Sequence, residues 1–444
     1  MPLMRLIAEN VGPFEKLDID FSDGNGEPHR GPHILAGVNG SGKSTVLRAI
    51  AWALSWEDDG FPEREWQHFL RGSKSRAAIQ LNSDLGLVIF AVSSNTDAEW
   101  KQALDNWVAS AGLQGDIDLI EQRSNGLNQR HVMVRGGTLD PRPLVAAYAA
   151  ARSLSYVGVP PEVEPTDGFR NNCLAFEGTV RNGPIQRWWV DLFSRRALAK
   201  ERGQEFAEYD KSLARLENAI KLVCGDADLH PDVELGPFIQ PRLTVHGKKL
   251  NFSQLSDGVR TTVGWLADFM MRREQSGELD RDPLLLLDEI DIYLHPRWQR
   301  TLLPAMRKAL PDTQIIASSH SPFVISSCSE ARIHRLTLDD HGVAHAEPPQ
   351  AAPFGQSVMA TLKGIFDVNS RFDFQTEKDL KEWDNLKKEE SVGKLTPAKE
   401  KHLASLANKL AERGEELKLI VKPAISPDVN GAIRRRQPKR AKLR

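Results

Sequence analysis

Residues 37–44 read Gly-Val-Asn-Gly-Ser-Gly-Lys-Ser, and this run constrains the fold more than any other. The pattern G-x-x-x-x-G-K-[ST] closes a tight loop whose backbone N–H groups converge on an anion, because glycines without a Cβ let the chain approach closely. It needs a buried strand before it and a helix after it. Pro32 to Ala36 reads as that strand, and Val46, Leu47, Ile50, Ala51 and Leu54 recur at helical spacing behind the loop. The helix N-terminus adds its own positive end toward phosphate oxygens. Candidate nucleotide-binding residues are therefore Gly37, Asn39, Gly40, Ser41, Gly42, Lys43, Ser44 and Thr45. Lys43 would bridge the β- and γ-phosphates, and the Ser44 hydroxyl would ligate Mg²⁺.

Leu284-Leu285-Leu286-Leu287-Asp288-Glu289 is an apolar run that ends in two carboxylates. A continuous apolar run of this length suits a strand of a parallel sheet buried on both faces. Asp288 at its end would hold the Mg²⁺ side, and Glu289 would orient and deprotonate an attacking water. Gln314 to Ala317 is a second such strand, followed by Ser318-Ser319-His320-Ser321-Pro322.

Leu255-Ser256-Asp257-Gly258 has the L-S-x-G form, with Ser256 lying 32 residues ahead of Asp288. At this point the chain resembles the ABC-type ATPases. The resemblance implies an ABC head: a P-loop α/β fold with a parallel core sheet and a β-rich N-terminal lobe. It implies ATP and Mg²⁺ as ligands, and it makes His320 the switch histidine beside Lys43 and Glu289 as catalytic residues. It further implies that Ser256 and Gly258 open a helix that donates to the nucleotide of a second protomer, so that sites form only in a homodimer or higher homo-oligomer.

Glu289-Ile290-Asp291-Ile292-Tyr293-Leu294-His295-Pro296 is similar to the D-E-x-x-x-x-L-H-P segment of the soluble RecF/OLD-like (AAA-15/AAA-21) group. Leu144-Val145-Ala146-Ala147-Tyr148, with Arg152 after it, is similar to a strand end in ATPases of bacterial antiphage systems. Phe354-Gly355-Gln356, then Val358, Leu362, Phe366 and Arg371, resembles the segment that follows the ATPase in PtuA subunits of Septu-type systems. That resemblance implies an antiphage-defence ATPase that gates a separate nuclease effector chain. Asp339-Asp340, Asp367 and Asp373 do not form the glutamate and D-x-D pattern of a Toprim nuclease, and His341 and His345 do not make an H-N-H site. A RecF-like repair ATPase without a toxic partner and a slow ATP-gated scaffold are the alternative readings.

At 444 residues, with 40% apolar and 27% charged side chains, the chain suits one large domain with additions. The expected layout is a head from 1–184 and 236–350, a helical insertion at 185–235, a helical region at 351–420 and a basic tail from 421. In the insertion, Phe206, Tyr209, Leu213, Leu216, Ile220 and Val223 follow a heptad-like seam, read as the buried stripe of a packed helix within one long helical stretch, Ile185 to Val223. Thr376 and Thr396-Pro397 are expected as helix N-caps, with Leu380, Trp383, Leu403, Leu406 and Leu410 lining a helical hairpin. Gln122 and Gln129 are positional candidates for the glutamine that joins the lobes of ABC heads.

The formal net charge is −2, yet residues 434–444 carry seven basic groups and no acid, which leaves the other 433 residues at −9. Nucleic-acid contact, if the protein makes one, is expected to be local to that tail. Three dispersed cysteines suit neither a disulfide framework nor a zinc site. No run approaches the roughly 20 apolar residues of a membrane span, and the N-terminus breaks its apolar run too early for a signal peptide. The expectation is a cytoplasmic protein without a membrane partner.

Overall fold

The computed structural model describes residues 2–54, 76–81, 87–93, short pieces within 102–110, then 118–125, 128–135, 144–150, 182–275 and 283–421. The loop-rich stretch expected at 57–75, Arg152 and the basic residues 434–444 lie outside the described residues. The first strands are β1 (Leu3–Val11), β2 (Phe14–Asp20), β3 (His33–Gly37), β4 (Arg76–Leu81), β5 (Leu87–Ser93), β6 (Asp118–Asn125), β7 (Asn128–Arg135) and β8 (Val145–Tyr148). They are followed by β9 (Leu229–Glu234), β10 (Gln240–Val245), β11 (Lys248–Leu250), β12 (Leu284–Leu287) and β13 (Gln314–Ser318). Strands β14 (Arg332–Leu338), β15 (Ala344–Ala346) and β16 (Gln350–Ala351) complete the set.

Residues up to Asp367 form one compact unit, built on two large sheets and one small one. The core sheet runs β15-β14-β3-β13-β12-β8, and β14, β3, β13, β12 and β8 are mutually parallel. Each central strand is buried on both faces, and its residues divide between two hydrophobic clusters by strict alternation. Ile34, Ala36, Leu285, Leu287, Ile315 and Ala317 face a cluster with the helices Asn182–Glu201, Ala207–Cys224 and Asp257–Gln275. Leu35, Leu284, Leu286 and Ile316 face the opposite cluster, with β1, β2 and the helix Lys43–Leu54. A period of two on a double-sided sheet explains why the sequence signal here is a continuous apolar run.

The second large sheet is antiparallel, in the order β2-β1-β4-β5-β7-β6. Gln314 ties it to the core sheet: its buried amide accepts from the Leu3 N–H at 2.7 Å and donates to the Leu3 carbonyl at 2.9 Å. Gln122 and Gln129 both fall in the β6–β7 hairpin of this sheet, paired with His131 and Ser124 respectively.

Two sequence expectations need correction. The helical stretch expected from Ile185 to Val223 is two helices, broken at Gly203, where a backbone φ of 65° suits a residue without Cβ. Within the insertion drawn at 185–235, Leu229–Glu234 is a strand, β9, and it opens the small sheet β11-β10-β9. The heptad-like seam is core packing: Leu216, Ile220 and Val223 are buried, with Tyr209 and Leu213 packed against the same cluster.

The head extends past residue 350. The helix Val358–Phe366 belongs to the first unit, capped by the Ser357 hydroxyl, which accepts from the Ala360 N–H. Its C-terminal turn is held by Arg335, which donates to the Ile365 carbonyl and pairs with Asp367 and Glu347.

The second unit, from Val368, contains the helices Phe374–Ser391, Pro397–Glu412 and Glu415–Val421. Leu386, Leu403, Leu406, Leu410, Leu417 and Val421 form its core, with Leu380 and Trp383 packed on them. Thr396 and Pro397 open the second helix. Asp373, rather than Thr376, caps the first: its carboxylate accepts from the Gln375 and Thr376 N–H groups, and the Thr376 hydroxyl donates back to it at 2.6 Å. A carboxylate satisfies two orphan donors and complements the helix dipole, so it wins over a hydroxyl three residues later.

Candidate functional site

The candidate site collects at the carboxyl ends of β3, β12 and β13, where open parallel sheets bind ligands. The loop after β3 is shaped by its glycines. A Cβ at Gly37 would stand 2.1 Å from the Leu336 carbonyl oxygen. At Gly42, with φ of 90°, it would meet Phe14 Cε2 at 2.4 Å and Pro13 Cγ at 2.9 Å. The turn between β1 and β2 therefore presses directly on the loop, and Gly12 in that turn likewise abuts the Thr45 side chain. Val38, Asn39 and Gly40 are exposed at the loop's outer edge. Ser44 is half-buried at the start of the helix.

Lys43 is folded onto its own loop, donating from Nζ to the Gly37 carbonyl at 3.0 Å and the Val38 carbonyl at 2.9 Å. Burial draws its ammonium below the usual lysine range, against the opposing pull of the Asp288, Glu289 and Asp291 carboxylates. Ser41 is fully buried and its hydroxyl has no hydrogen-bond partner among the described residues. A buried hydroxyl without a partner, a cation resting on loop carbonyls and glycines that only fit without a Cβ together match a phosphate cradle.

Asp288 and Glu289 are set by one serine. Ser318, opposite Asp288 across the β12–β13 pair, donates its hydroxyl to Asp288 Oδ1 at 2.6 Å and accepts the Glu289 N–H at 2.7 Å. Glu289 takes a left-handed backbone, φ 45°, uncommon for a residue with a Cβ. The backbone is tied from the other side too: the Asp288 N–H donates to the Tyr148 carbonyl at 2.9 Å, and the Ile290 N–H to the Ser318 carbonyl at 3.0 Å.

The next two serines continue the pattern. Ser319 donates to Asp291 Oδ1 at 2.6 Å, and Ser321 to Gln299 Oε1 at 2.7 Å, while Gln299 donates to the Asp291 and Leu294 carbonyls. His320 sits between them, half-buried. Burial first, and the Lys43 charge second, lower its pKa from the ordinary histidine value, which favours the neutral ring. The Phe366 ring lies near-parallel to it, centroids 6.5 Å apart. Lys43, Asp288, Glu289, Asp291 and His320 thus share one electrostatic neighbourhood.

Ser256 and Gly258 belong to a different element, the start of the helix Asp257–Gln275. Ser256 is exposed immediately before the helix Asp257–Gln275, and its carbonyl accepts the Arg260 N–H. A Cβ at Gly258 would come within 2.6 Å of the Tyr293 carbonyl oxygen, so this helix start abuts the turn that follows Glu289. Ser256 and Asp257 at this helix start are exposed, whereas Gly258 is buried.

Sequence reasoning did not single out Ser318, Asp291 or Phe14. The serine run after an apolar strand was the one available signal for Ser318. Asp291 is a third acid beside the Asp288-Glu289 pair, and Phe14 acts through a contact with Gly42 that no local pattern encodes.

Two family models match parts of the chain. Residues 5–100 match an "AAA domain" model, and residues 244–326 match "AAA domain, putative AbiEii toxin, Type IV TA system". The Septu protein PtuA of Bacillus thuringiensis is 21% identical over 391 residues, covering 83% of this chain and 85% of that one. The chain is an ATPase similar to PtuA. The Retron Vc95 probable ATPase of Vibrio cholerae serotype O1 biovar El Tor is 23% identical over 415 residues, covering 79% of this chain and 76% of that one. Among solved structures, the SMC head domain bound to the C-winged helix domain of ScpA aligns over 80% of this chain and 98% of its own, at 14% identity and a TM-score of 0.46. Among the described residues, no helix is long and apolar enough to cross a membrane.

Proposed function

We propose that this protein is the ATP-hydrolysing subunit of a bacterial antiphage defence complex, in which nucleotide-dependent dimerisation gates a separate effector nuclease. The observation that carries the reading is the split site. Lys43, Asp288, Glu289 and His320 gather at the carboxyl ends of the core strands, whereas Ser256 and Asp257 at the start of the helix Asp257–Gln275 are exposed to solvent. The similarity to PtuA and to retron ATPases supports the defence context.

The loop N–H groups from Gly40 to Thr45 and the Lys43 ammonium would hold the β- and γ-phosphates of ATP. The Ser44 hydroxyl and Asp288 would hold Mg²⁺, which neutralises charge on the transferred phosphoryl group. Glu289 takes a proton from water as the water oxygen bonds to the γ-phosphorus and the β–γ bridging bond breaks, giving ADP and phosphate. His320, neutral, donates an N–H to a γ-phosphate oxygen without adding a charge beside Lys43. Ser256 and the N–H groups around Gly258 close the same site from the second protomer.

The test is Glu289→Gln protein, tagged, expressed with its genomic neighbours and purified with ATP and Mg²⁺ for native mass spectrometry. The expected result is ATP binding without turnover and a complex of several copies with a nuclease-like chain. Undiminished hydrolysis would refute the role of Glu289. A bare dimer without a companion chain would favour a repair ATPase that acts on DNA directly.

A further inference from the structure

We infer that Tyr148, Asp268 and Arg272 form a tether that couples the Asp288–Glu289 strand end of each protomer to the signature helix which that protomer presents to its partner. The inference rests on the composite-site reading above and adds to it a route by which one nucleotide site informs the other.

Tyr148 ends β8 and pairs in register with Leu287, the residue before Asp288. Its backbone and side chain reach in two directions. The carbonyl accepts the Asp288 N–H at 2.9 Å. The phenolic hydroxyl donates to Asp268 Oδ2 at 2.7 Å, on the helix Asp257–Gln275. Asp268 is wholly buried, and Arg272 one turn later donates from Nε to the same oxygen at 2.7 Å and from Nη2 to Oδ1 at 3.4 Å. The Trp265 ring lies against Tyr148, centroids 6.3 Å apart.

The Asp268–Arg272 pair lies within one helix, four residues apart. The tyrosine hydroxyl joins its buried carboxylate to a strand of the core sheet. In a buried site of low dielectric such a bond is strong and directional. Apolar side chains would fill the same volume with no such directionality. The strand end that carries Asp288 and the helix whose first turn carries Ser256 and Gly258 are therefore joined through Tyr148. A shift of Asp288 toward a bound cation moves the Tyr148 backbone, and the hydroxyl passes that shift to the helix that addresses the second nucleotide.

The test is Tyr148→Phe, which keeps the ring and removes the hydroxyl. Three quantities are read: affinity for a fluorescent ATP analogue at protein concentrations too low for dimerisation, ATP-driven dimerisation in the Glu289→Gln background by sedimentation, and the Hill coefficient of hydrolysis with Glu289 intact. Analogue affinity should stay within about twofold, dimerisation should weaken by at least about tenfold, and the Hill coefficient should fall from above one to about one. Asp268→Asn, similar in shape without the charge, is measured in parallel and should move the same way. Either variant, folded and with dimerisation and cooperativity equal to the parent, overturns the tether even if its melting temperature drops. Failure of the Glu289→Gln parent itself to dimerise with ATP would instead overturn the composite-site reading.

Discussion

Replacing Ser318 with alanine removes one hydroxyl that acts on two neighbouring residues. The hydroxyl donates to Asp288 Oδ1 at 2.6 Å and accepts the Glu289 N–H at 2.7 Å. A hydrogen bond to a charged group contributes about 1.5–3 kcal/mol, and Glu289 holds a left-handed φ of 45° whose strain costs about 1–3 kcal/mol. If about 2 kcal/mol of the lost ordering appears in the activation barrier, kcat falls roughly 30-fold, at about 1.4 kcal/mol per decade. Lys43 and the glycine loop are untouched, so KM for ATP should change by no more than about threefold. The assay is steady-state phosphate release against ATP and Mg²⁺ concentration, with thermal unfolding measured alongside. Because one arm of the clamp acts through Glu289, Ser318→Ala should cost less in the Glu289→Gln background than it costs alone. A kcat within about twofold of the parent, or a double variant whose losses simply multiply, refutes the clamp.

Gly42→Ala should lower ATP affinity by about 10- to 100-fold with the fold retained, since its Cβ would meet the fully buried Phe14 ring at 2.4 Å. Gly24→Ala, at nearly the same φ (91°) but with nothing within 4 Å, is the control and should leave affinity unchanged in the same calorimetric titration. His33 and His334 share a buried hydrogen bond of 3.0 Å, and burial holds both imidazoles neutral, His334 down to about 3. Their folded-state pKa values lie below the unfolded value of about 6.5, so the unfolded chain binds the extra protons. Stability should then be full above about pH 6.5 and fall on acidification, by up to about 1.4 kcal/mol per pH unit for each ring. Urea unfolding at pH 7.5, 6.5 and 5.5 measures this slope, and His334→Gln should roughly halve that contribution; an unchanged slope refutes it.

The motif-bearing strands were legible because their signals are local. Four consecutive leucines before Asp288 and the glycine spacing before Lys43 each carry their meaning within a few residues. The partners that set their geometry do not. Ser318 reaches Asp288 from 30 residues away, and Gln314 clamps Leu3 across 311. Strand β9 was hidden for a different reason: in Leu229-His230-Pro231-Asp232-Val233-Glu234 only Leu229 is buried, so no apolar alternation marks it as a strand. At Asp373 the misreading was one of rank, a threonine favoured over the carboxylate three residues before it.

The order of the core sheet also governs when the nucleotide loop becomes available during synthesis. Strand β3, which carries the loop, has β14 and β13 as its two neighbours, and both come from beyond residue 313. A nascent chain that has emerged only as far as the signature helix therefore has the loop in hand but neither flanking strand. Pairings of such long sequence separation close slowly, because the intervening chain must be ordered first. Until then both hydrogen-bonding edges of β3 stay without their sheet partners, and a truncated product ending before Gln314 should be captured by chaperones rather than by ATP.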